Sequence, residues 1–242
     1  MWPLAALRAV YTRRYLLRRS ALEMFFTDHT AFFFNFGGPE ERKAVHTAVV
    51  QAKPPNLTNA AAASHRPERL LKRSQLTERW VRREMSNFEY LMALNTLAGR
   101  TLNDVTQYPV FPWVLADYTS AELDLRDPAV FRDLSKPVGA LNRERLGKVV
   151  ERYEAFEDPI IPRFHYGSHY SSAGTVLFYL LRCEPYSTLA IRLQGGRFDC
   201  ADRLFSSVAQ TWEGCLHDMA DVKELVSNAR SPCEVWGSGF GV

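Results

Sequence analysis

The chain has 242 residues, of which 46% are hydrophobic and 24% charged, and its formal net charge is +3. This composition is typical of an ordinary globular protein that can bury a sizeable core in one or two domains. The small net charge gives no support to nucleic-acid binding, and no apolar run approaches the ~20 residues needed to span a bilayer.

The first part of the chain predicts a small β-sheet followed by a helix. Runs of strand-forming residues, with Ser20 and residues 27–29 as turns, predict three short strands. We place these strands at residues 15–19, 21–26 and 31–36. Pro39 at a first helical position, followed directly by two glutamates, predicts a helix that closes the sheet.

A linker and a basic segment come next. Residues 53–65 carry a Pro-Pro pair near their start and are rich in Ala and Asn, which is typical of a linker. Residues 66–83 are basic and predict a helix with leucines and Trp80 as its apolar positions. A basic amphipathic helix can lie on acidic lipid, but we prefer the simpler interpretation of a solvated face that leads into the next helix.

The segment from residue 80 to 115 combines a well-signalled helix with an irregular apolar stretch. Ser86 and Glu89 form a capping-box pattern, and Gly99 stands where a helix can end in the left-handed conformation. Residues 108–115 are almost wholly apolar, yet their two prolines exclude a helix or a central strand. Such a segment must be buried, with its backbone groups hydrogen-bonded by side chains. The candidates are Asn95, Asn103, Asp104 and Gln107.

Further helices are predicted in the second half. Residues 117–137 have the composition of a loop, and Asn142 is a helix N-cap with a supporting Glu144–Lys148 pair after it. Residues 172–182 form an apolar helical run. Another helix is predicted to start at Asp199 or Asp202.

Three segments of the chain resemble, in order, the motifs of the BEACH domain, the module shared by neurobeachin and the lysosomal-trafficking regulator family. They are residues 80–115, 133–141 and 164–171, and the resemblance covers roughly residues 76–225. The strands and helix of the N-terminal part resemble the last part of the pleckstrin-homology-like (PH-like) domain that precedes BEACH in this family. The segments that carry this second resemblance are residues 13–18, 21–26 and 32–36.

The resemblance implies an α+β chain: a partial PH-like β-sheet with a closing helix, followed by a mainly helical BEACH domain with irregular core segments. The implied divisions are residues 8–53 for the C-terminal part of the PH-like domain, 54–74 for a linker, 75–226 for a BEACH domain truncated at its C-terminal end, and 227–242 for a divergent tail. The Gly- and Ser-rich tail has no periodicity, which predicts disorder.

The residues themselves do not predict an active site. His165 and His169 are four apart, as in a helical metal site, but Gly167 lies between them and no third ligand is near. Ser168 lacks the Gly-x-Ser-x-Gly context of a nucleophile elbow, so we disfavour a hydrolase that uses it. No glycine-rich phosphate loop is present. We expect no catalytic residue, no cofactor and no metal.

The four cysteines are widely separated and form no Cys-x-x-Cys pair. Reduced thiols are the better interpretation of this spacing, and they are typical of the cytoplasm.

The resemblance implies a non-enzymatic scaffold in vesicle trafficking, endosome and lysosome dynamics or autophagy. It implies protein partners from the trafficking machinery, an intramolecular contact between the PH-like and BEACH parts, a weak peripheral membrane contact, and a cytoplasmic location peripheral to endomembranes. The alternative is a peripheral module that binds anionic lipid through basic segments, which comprise Arg13, Arg14, Arg18, Arg19 and residues 66–83.

Aromatic and polar residues of the motifs are candidates for a partner groove or for the motif core, and the sequence does not separate these two roles. The candidates are Trp80, Asn87, Phe88, Asn95, Arg100, Asp104, Tyr108, Phe111, Trp113, His165, Tyr166, His169 and Tyr170.

Overall fold

The computed structural model describes residues 3–58, 67–165, 172–221 and 223–227. These residues fall into two compact units, divided between Pro109 and Val110. The first unit contains β1 (Leu7–Tyr15), β2 (Arg18–Phe26), β3 (Ala31–Asn35), α1 (Pro39–Gln51), α2 (Pro67–Ser74), α3 (Leu76–Val81) and α4 (Asn87–Leu97). The second contains β4 (Phe111–Pro112), α5 (Arg143–Ala155), α6 (Ala173–Leu180), α7 (Tyr186–Leu193), α8 (Val208–His217) and β5 (Leu225–Val226). The predicted α+β class is confirmed.

The sheet of the first unit is antiparallel, in the order β1-β2-β3. The prediction of a strand at residues 15–19 is wrong, because the chain reverses there. Tyr15 pairs with Arg18, and Leu16 and Leu17 form the two-residue turn with φ values of 45° and 67°. Such a turn needs positive φ at both central residues, a conformation that costs a non-glycine residue about 1–2 kcal/mol. A leucine pair is therefore a poor turn signal in the sequence.

Ser20 is predicted to be a turn residue, but it lies inside β2. Its hydroxyl donates to the Asn35 side-chain oxygen at 2.7 Å, so the polar side chain is bonded across the sheet. Ser20 is therefore a strand residue whose hydroxyl is hydrogen-bonded to the neighbouring strand, and it does not mark a turn.

Helix α1 covers one face of this sheet and begins at Pro39, as predicted. The resulting core brings Val49 of α1 against residues of the first two strands. These are Leu7, Val10, Leu22 and Phe26, each at most 6% exposed.

The predicted basic helix is two helices, α2 and α3, because Gln75 between them has a left-handed backbone with φ 50°. The capping box of α4 is confirmed. The Ser86 hydroxyl accepts from the Glu89 amide at 3.2 Å, and the Glu89 carboxylate accepts from the Ser86 amide at 2.7 Å. Gly99, at φ 86°, follows the end of α4 as expected.

The core of the second unit is built around the irregular apolar segment. Trp113 is 2% exposed and packs with a cluster from the helical part. The members of that cluster are Val138, Tyr179, Trp212 and Cys215. Within the segment, Phe111 and Pro112 form the short strand β4 beside β5. Pro112 fits there because β5 is the one strand paired with β4 among the described residues, and the proline nitrogen can face away from it.

Two helix predictions in this unit have different outcomes. Asn142 caps α5 as expected, with its side-chain oxygen accepting from the Glu144 amide at 2.9 Å. The prediction that a helix starts at Asp199 or Asp202 is wrong, since only a 3₁₀ turn, Ala201–Arg203, occurs there. Helix α8 begins instead after Ser207, whose hydroxyl accepts from the Gln210 amide at 3.1 Å.

Helix α7 carries no strong start signal, and the sequence does not predict it. In the described parts of the chain, the helices are all too short or too polar to cross a membrane.

Candidate functional site

A buried carboxylate connects the sheet of the first unit to the segment that follows α4. Glu23 lies in β2 and is 0% exposed. One carboxylate oxygen accepts from Arg13 Nε at 2.7 Å. The other accepts from the Thr101 hydroxyl at 2.5 Å and from Asn103 Nδ2 at 2.6 Å. We call these four residues the Glu23 junction. Both oxygens are bonded, which offsets the cost of burying a charge.

The loop that supplies Thr101 and Asn103 is held by its own hydrogen bonds. The Thr101 amide donates to the Gln107 carbonyl at 2.8 Å, and Arg100 Nη1 donates to the Tyr108 carbonyl at 2.9 Å. Burial lowers the pKa of the Arg100 guanidinium. Asp104 Oδ1 accepts from the Thr106 amide at 2.9 Å and from its hydroxyl at 2.7 Å. Arg100 and Asp104 therefore shape this loop.

The sequence interpretation overlooks Glu23. A signal is present in the sequence, because Glu23 is the one charged residue in the otherwise apolar strand segment 21–26. A charged residue inside such a strand needs a partner. Its nearest candidate along the hairpin is Arg13.

A second feature is an aromatic pair between α3 and α4, in which Trp80 is exposed and Tyr90 half-buried. The Trp80 ring stacks on the Tyr90 ring with centroids 4.8 Å apart and planes 7° apart. Trp80 Nε1 donates to Asn87 Oδ1 at 2.7 Å, and the Tyr90 hydroxyl lies 3.1 Å from Thr77 Oγ1. We call these four residues the aromatic shelf. Trp80 remains 37% exposed although its ring is held on two sides.

The other candidates of the first unit belong to its interior. Asn95 is 7% exposed, and its amide donates to the Leu91 carbonyl at 2.9 Å within α4. Tyr108 is 1% exposed. Phe88 is half-buried. Asn95 and Tyr108 are therefore interior residues, whereas Phe88 keeps part of its surface exposed.

Trp113 is likewise a core residue. Its Nε1 donates to the Lys223 carbonyl at 2.9 Å, and its ring lies 5.3 Å from Trp212 and 5.4 Å from Tyr118 between centroids. Phe111 is half-buried in β4. The indole therefore fixes the end of the described chain to the irregular segment.

A buried ion pair, also absent from the sequence interpretation, supports that irregular core. Arg132 Nη2 donates to Glu224 Oε1 at 2.5 Å and to the Lys136 carbonyl at 2.9 Å. Glu224 Oε2 accepts from the Val138 amide at 2.8 Å. These bonds satisfy backbone groups that no helix or sheet ladder serves.

His165 is exposed, and its ring stacks on Tyr153 with centroids 4.0 Å apart. Its predicted neighbours Tyr166, His169 and Tyr170 lie outside the described residues, as does Ser168. Within the described ranges, no group of three or more His, Cys, Asp or Glu side chains could hold a metal ion.

Comparison with known proteins gives two family matches. Residues 78–231 match the Beige/BEACH domain, and residues 1–50 match the PH domain associated with Beige/BEACH. Glu23 lies in the second of these ranges and Thr101 in the first, so the Glu23 junction joins the two matched segments.

Three relatives from different organisms each align with 93% of this chain. The chain is 49% identical to BEACH domain-containing protein B of Arabidopsis thaliana over 235 residues. It is 45% identical both to BEACH domain-containing protein lvsE of Dictyostelium discoideum and to a putative neurobeachin homolog of Caenorhabditis briggsae. The aligned part covers only 9–10% of these relatives' own length. The Beige/BEACH family model matches more than half of the sequence, and the relatives are 45–49% identical to it. The chain therefore belongs to the BEACH family.

Proposed function

We propose that this chain acts as a non-enzymatic scaffold in vesicle trafficking, binding proteins of the trafficking machinery through the aromatic shelf. The proposal includes a cytoplasmic location peripheral to endomembranes, with endosome and lysosome dynamics or autophagy as the processes served. Membership of the BEACH family supports the trafficking role in general terms.

The observation that carries the proposal is the exposed but fixed indole of Trp80. Tryptophan and tyrosine are enriched among the residues that dominate binding energy in protein interfaces. A ring that is already held in place loses little conformational entropy when a partner covers it. Trp80 meets both conditions, since Tyr90 stacks on it and Asn87 accepts its N–H. Next to it, Val81 is 68% exposed and adds apolar surface.

The Glu23 junction supports a binding role in a different way. It ties the PH-like sheet to the loop after α4, so the helix that carries Tyr90 is anchored to a second element. A preorganised surface binds more tightly than a mobile one of equal area. The junction therefore supplies rigidity and not a binding surface.

Lipid binding through all the basic segments receives less support. Arg13 is buried against Glu23, and Arg79 and Arg82 both lie within ion-pair distance of Glu84. These cations are partly neutralised within the fold. The basic residues that stay exposed include Arg14, Arg18 and Arg19 at the end of the β1–β2 hairpin, and Arg69 and Lys72 in α2.

The test compares wild-type chain with Trp80→Ala in co-purification from cells, followed by reconstitution with each identified trafficking protein in purified form. Trp80→Ala is expected to weaken binding of a direct partner by at least tenfold, which corresponds to about 1.4 kcal/mol. Thermal unfolding is measured in parallel, because Trp80→Ala also removes the part of the indole that is buried, and binding is compared at a temperature at which both chains are folded.

Two matched variants complete the design. Tyr90→Phe keeps the stacked ring but removes the hydroxyl, and it should bind like wild type. Phe131→Ala removes an aromatic ring of similar exposure, 40%, from the other unit and should also bind normally. Equal partner binding by wild type and Trp80→Ala would overturn the assignment of this surface.

A further inference from the structure

The β1–β2 hairpin ends in an apolar tip that is exposed to solvent. Leu16 and Leu17 are 61% and 78% exposed, and Tyr15 beside them is 41% exposed. The third strand pairs with β2 only from Ala21 onward, so the end of the hairpin extends beyond the edge of β3. Within the described chain these leucines therefore belong to no core.

The tip is flanked by free positive charge. Arg14, Arg18 and Arg19 are all exposed. Among the described residues, none of the three has an acidic side chain within 4.0 Å, whereas the adjacent Arg13 is paired with Glu23. The hairpin end thus combines two protruding leucines, a partly exposed tyrosine and three arginines that have no acidic side chain close by.

The fold itself does not require leucines at the turn. Both adopt positive φ, at 45° and 67°, where Asn-Gly is the preferred pair and leucine is disfavoured. Both residues are also mostly exposed, so they contribute little packing. Apolar side chains kept at a conformationally unfavourable and exposed position are best explained by a ligand that covers them.

We infer that the β1–β2 hairpin tip inserts into the surface of an anionic phospholipid bilayer, with Leu16 and Leu17 entering the acyl boundary. Arg14, Arg18 and Arg19 then contact the acidic headgroups, and Tyr15 lies at the interface, where amphipathic rings are favoured. Neither part suffices alone: two leucines bury little area, and a few arginines attract the surface without fixing an orientation. This inference rests on the proposed location at endomembranes, and it concerns residues that the aromatic shelf does not share.

The experiment measures co-sedimentation of the full 242-residue chain with vesicles of phosphatidylcholine alone or of phosphatidylcholine mixed with phosphatidylserine, across a range of salt concentrations. Binding is expected only to the mixed vesicles, and it should weaken steeply as salt rises, because exposed charges are screened. Each Arg→Gln change at residue 14, 18 or 19 should reduce binding about fivefold.

The decisive variant is the double change Leu16→Asn with Leu17→Gly. It supplies the preferred turn residues, so the hairpin should fold at least as well as in the wild type. Vesicle binding should nevertheless fall by roughly tenfold or more, because the apolar insertion is lost. Ile160→Asn is the matched control, since Ile160 is an 88% exposed apolar side chain in the other unit. Arg143→Gln, at an exposed arginine of α5, controls for loss of charge.

Several results would overturn the inference. One is equal vesicle binding by wild type and the Asn-Gly variant; another is failure of wild type to bind the phosphatidylserine vesicles at low salt. A concentration-dependent dimer that the Asn-Gly change abolishes, without vesicle binding, would assign the tip to self-association. The Asn-Gly variant should still bind the protein partner, and Trp80→Ala should still bind vesicles, so failure of one proposal is distinguishable from failure of the other.

Discussion

Glu23 and Thr101 are joined by a hydrogen bond of 2.5 Å although 78 residues separate them along the chain. One belongs to the segment that matches the PH domain associated with Beige/BEACH, and the other to the segment that matches the BEACH domain. Together with Arg13 and Asn103, this bond joins the PH-like sheet to the loop after α4, and both lie in the first compact unit.

Removing only one charge of the junction should be strongly destabilising. Glu23→Leu leaves Arg13 buried without its partner, so the free energy of unfolding should fall by about 3–5 kcal/mol in urea denaturation. Arg13→Met combined with Glu23→Leu should recover much of that loss, because no uncompensated charge remains. Arg14→Met, at the exposed neighbour, is the control and should have almost no effect. A loss below about 1 kcal/mol for Glu23→Leu would show that the pair is not buried.

Trp113→Ala tests the core of the second unit. The indole is 2% exposed, packs on Trp212 and Tyr118, and donates to the Lys223 carbonyl. The expected loss is about 3–5 kcal/mol of unfolding free energy, measured by chemical denaturation. Val114→Ala, next in sequence but 42% exposed, should cost much less. Two variants of equal stability would place Trp113 on the surface instead.

The capping box of α4 predicts a pH-dependent contribution to stability. Hydrogen bonds from the backbone and side chain of Ser86 lower the pKa of the Glu89 carboxyl. A lowered native-state pKa means that the ionised form is favoured by folding, so this contribution is present above the unfolded pKa and is lost as pH falls through the native pKa.

Glu89→Gln should accordingly lower stability at neutral pH, and the difference from wild type should disappear in acid. The measurement is the urea midpoint as a function of pH. Glu122→Gln, in an exposed loop, is the control and should show no such pH-dependent difference. A constant difference across the pH range would contradict the capping role of the charge.

The cysteines should differ sharply in reactivity. Burial, with Asp221 adding to it, raises the pKa of Cys215 to about 12, whereas Cys200 is exposed. Because the thiolate is the reactive form, alkylation of the native chain at slightly alkaline pH should modify Cys200 and leave Cys215 intact. Peptide mass spectrometry after timed labelling measures both sites, and labelling in urea is the control in which both react. Rapid native labelling of Cys215 would contradict its place in the core.

Local signals in the sequence are sufficient for several elements. Pro39 as the first residue of α1, the Ser86–Glu89 capping box, Gly99 after α4 and Asn142 before α5 are all found as predicted. Each of these helix boundaries depends on one residue and its neighbours within a helical turn, so the local sequence is enough to predict it. The three ordered motifs are also sufficient to indicate the BEACH family, because each is long and their order along the chain is specific.

The tertiary structure decided the features that depend on distant partners. The Leu16–Leu17 turn exists because β1 and β2 pair in one register, and that pairing outweighs the unfavourable backbone of two leucines. Likewise, Trp113 and Trp80 are both aromatic motif residues, yet one is 2% and the other 37% exposed. Glu23 is a strand residue whose bonding partners at 101 and 103 no local pattern can specify. Burial and long-range hydrogen bonds are properties of the folded chain, and they separate the core from the surfaces available to partners.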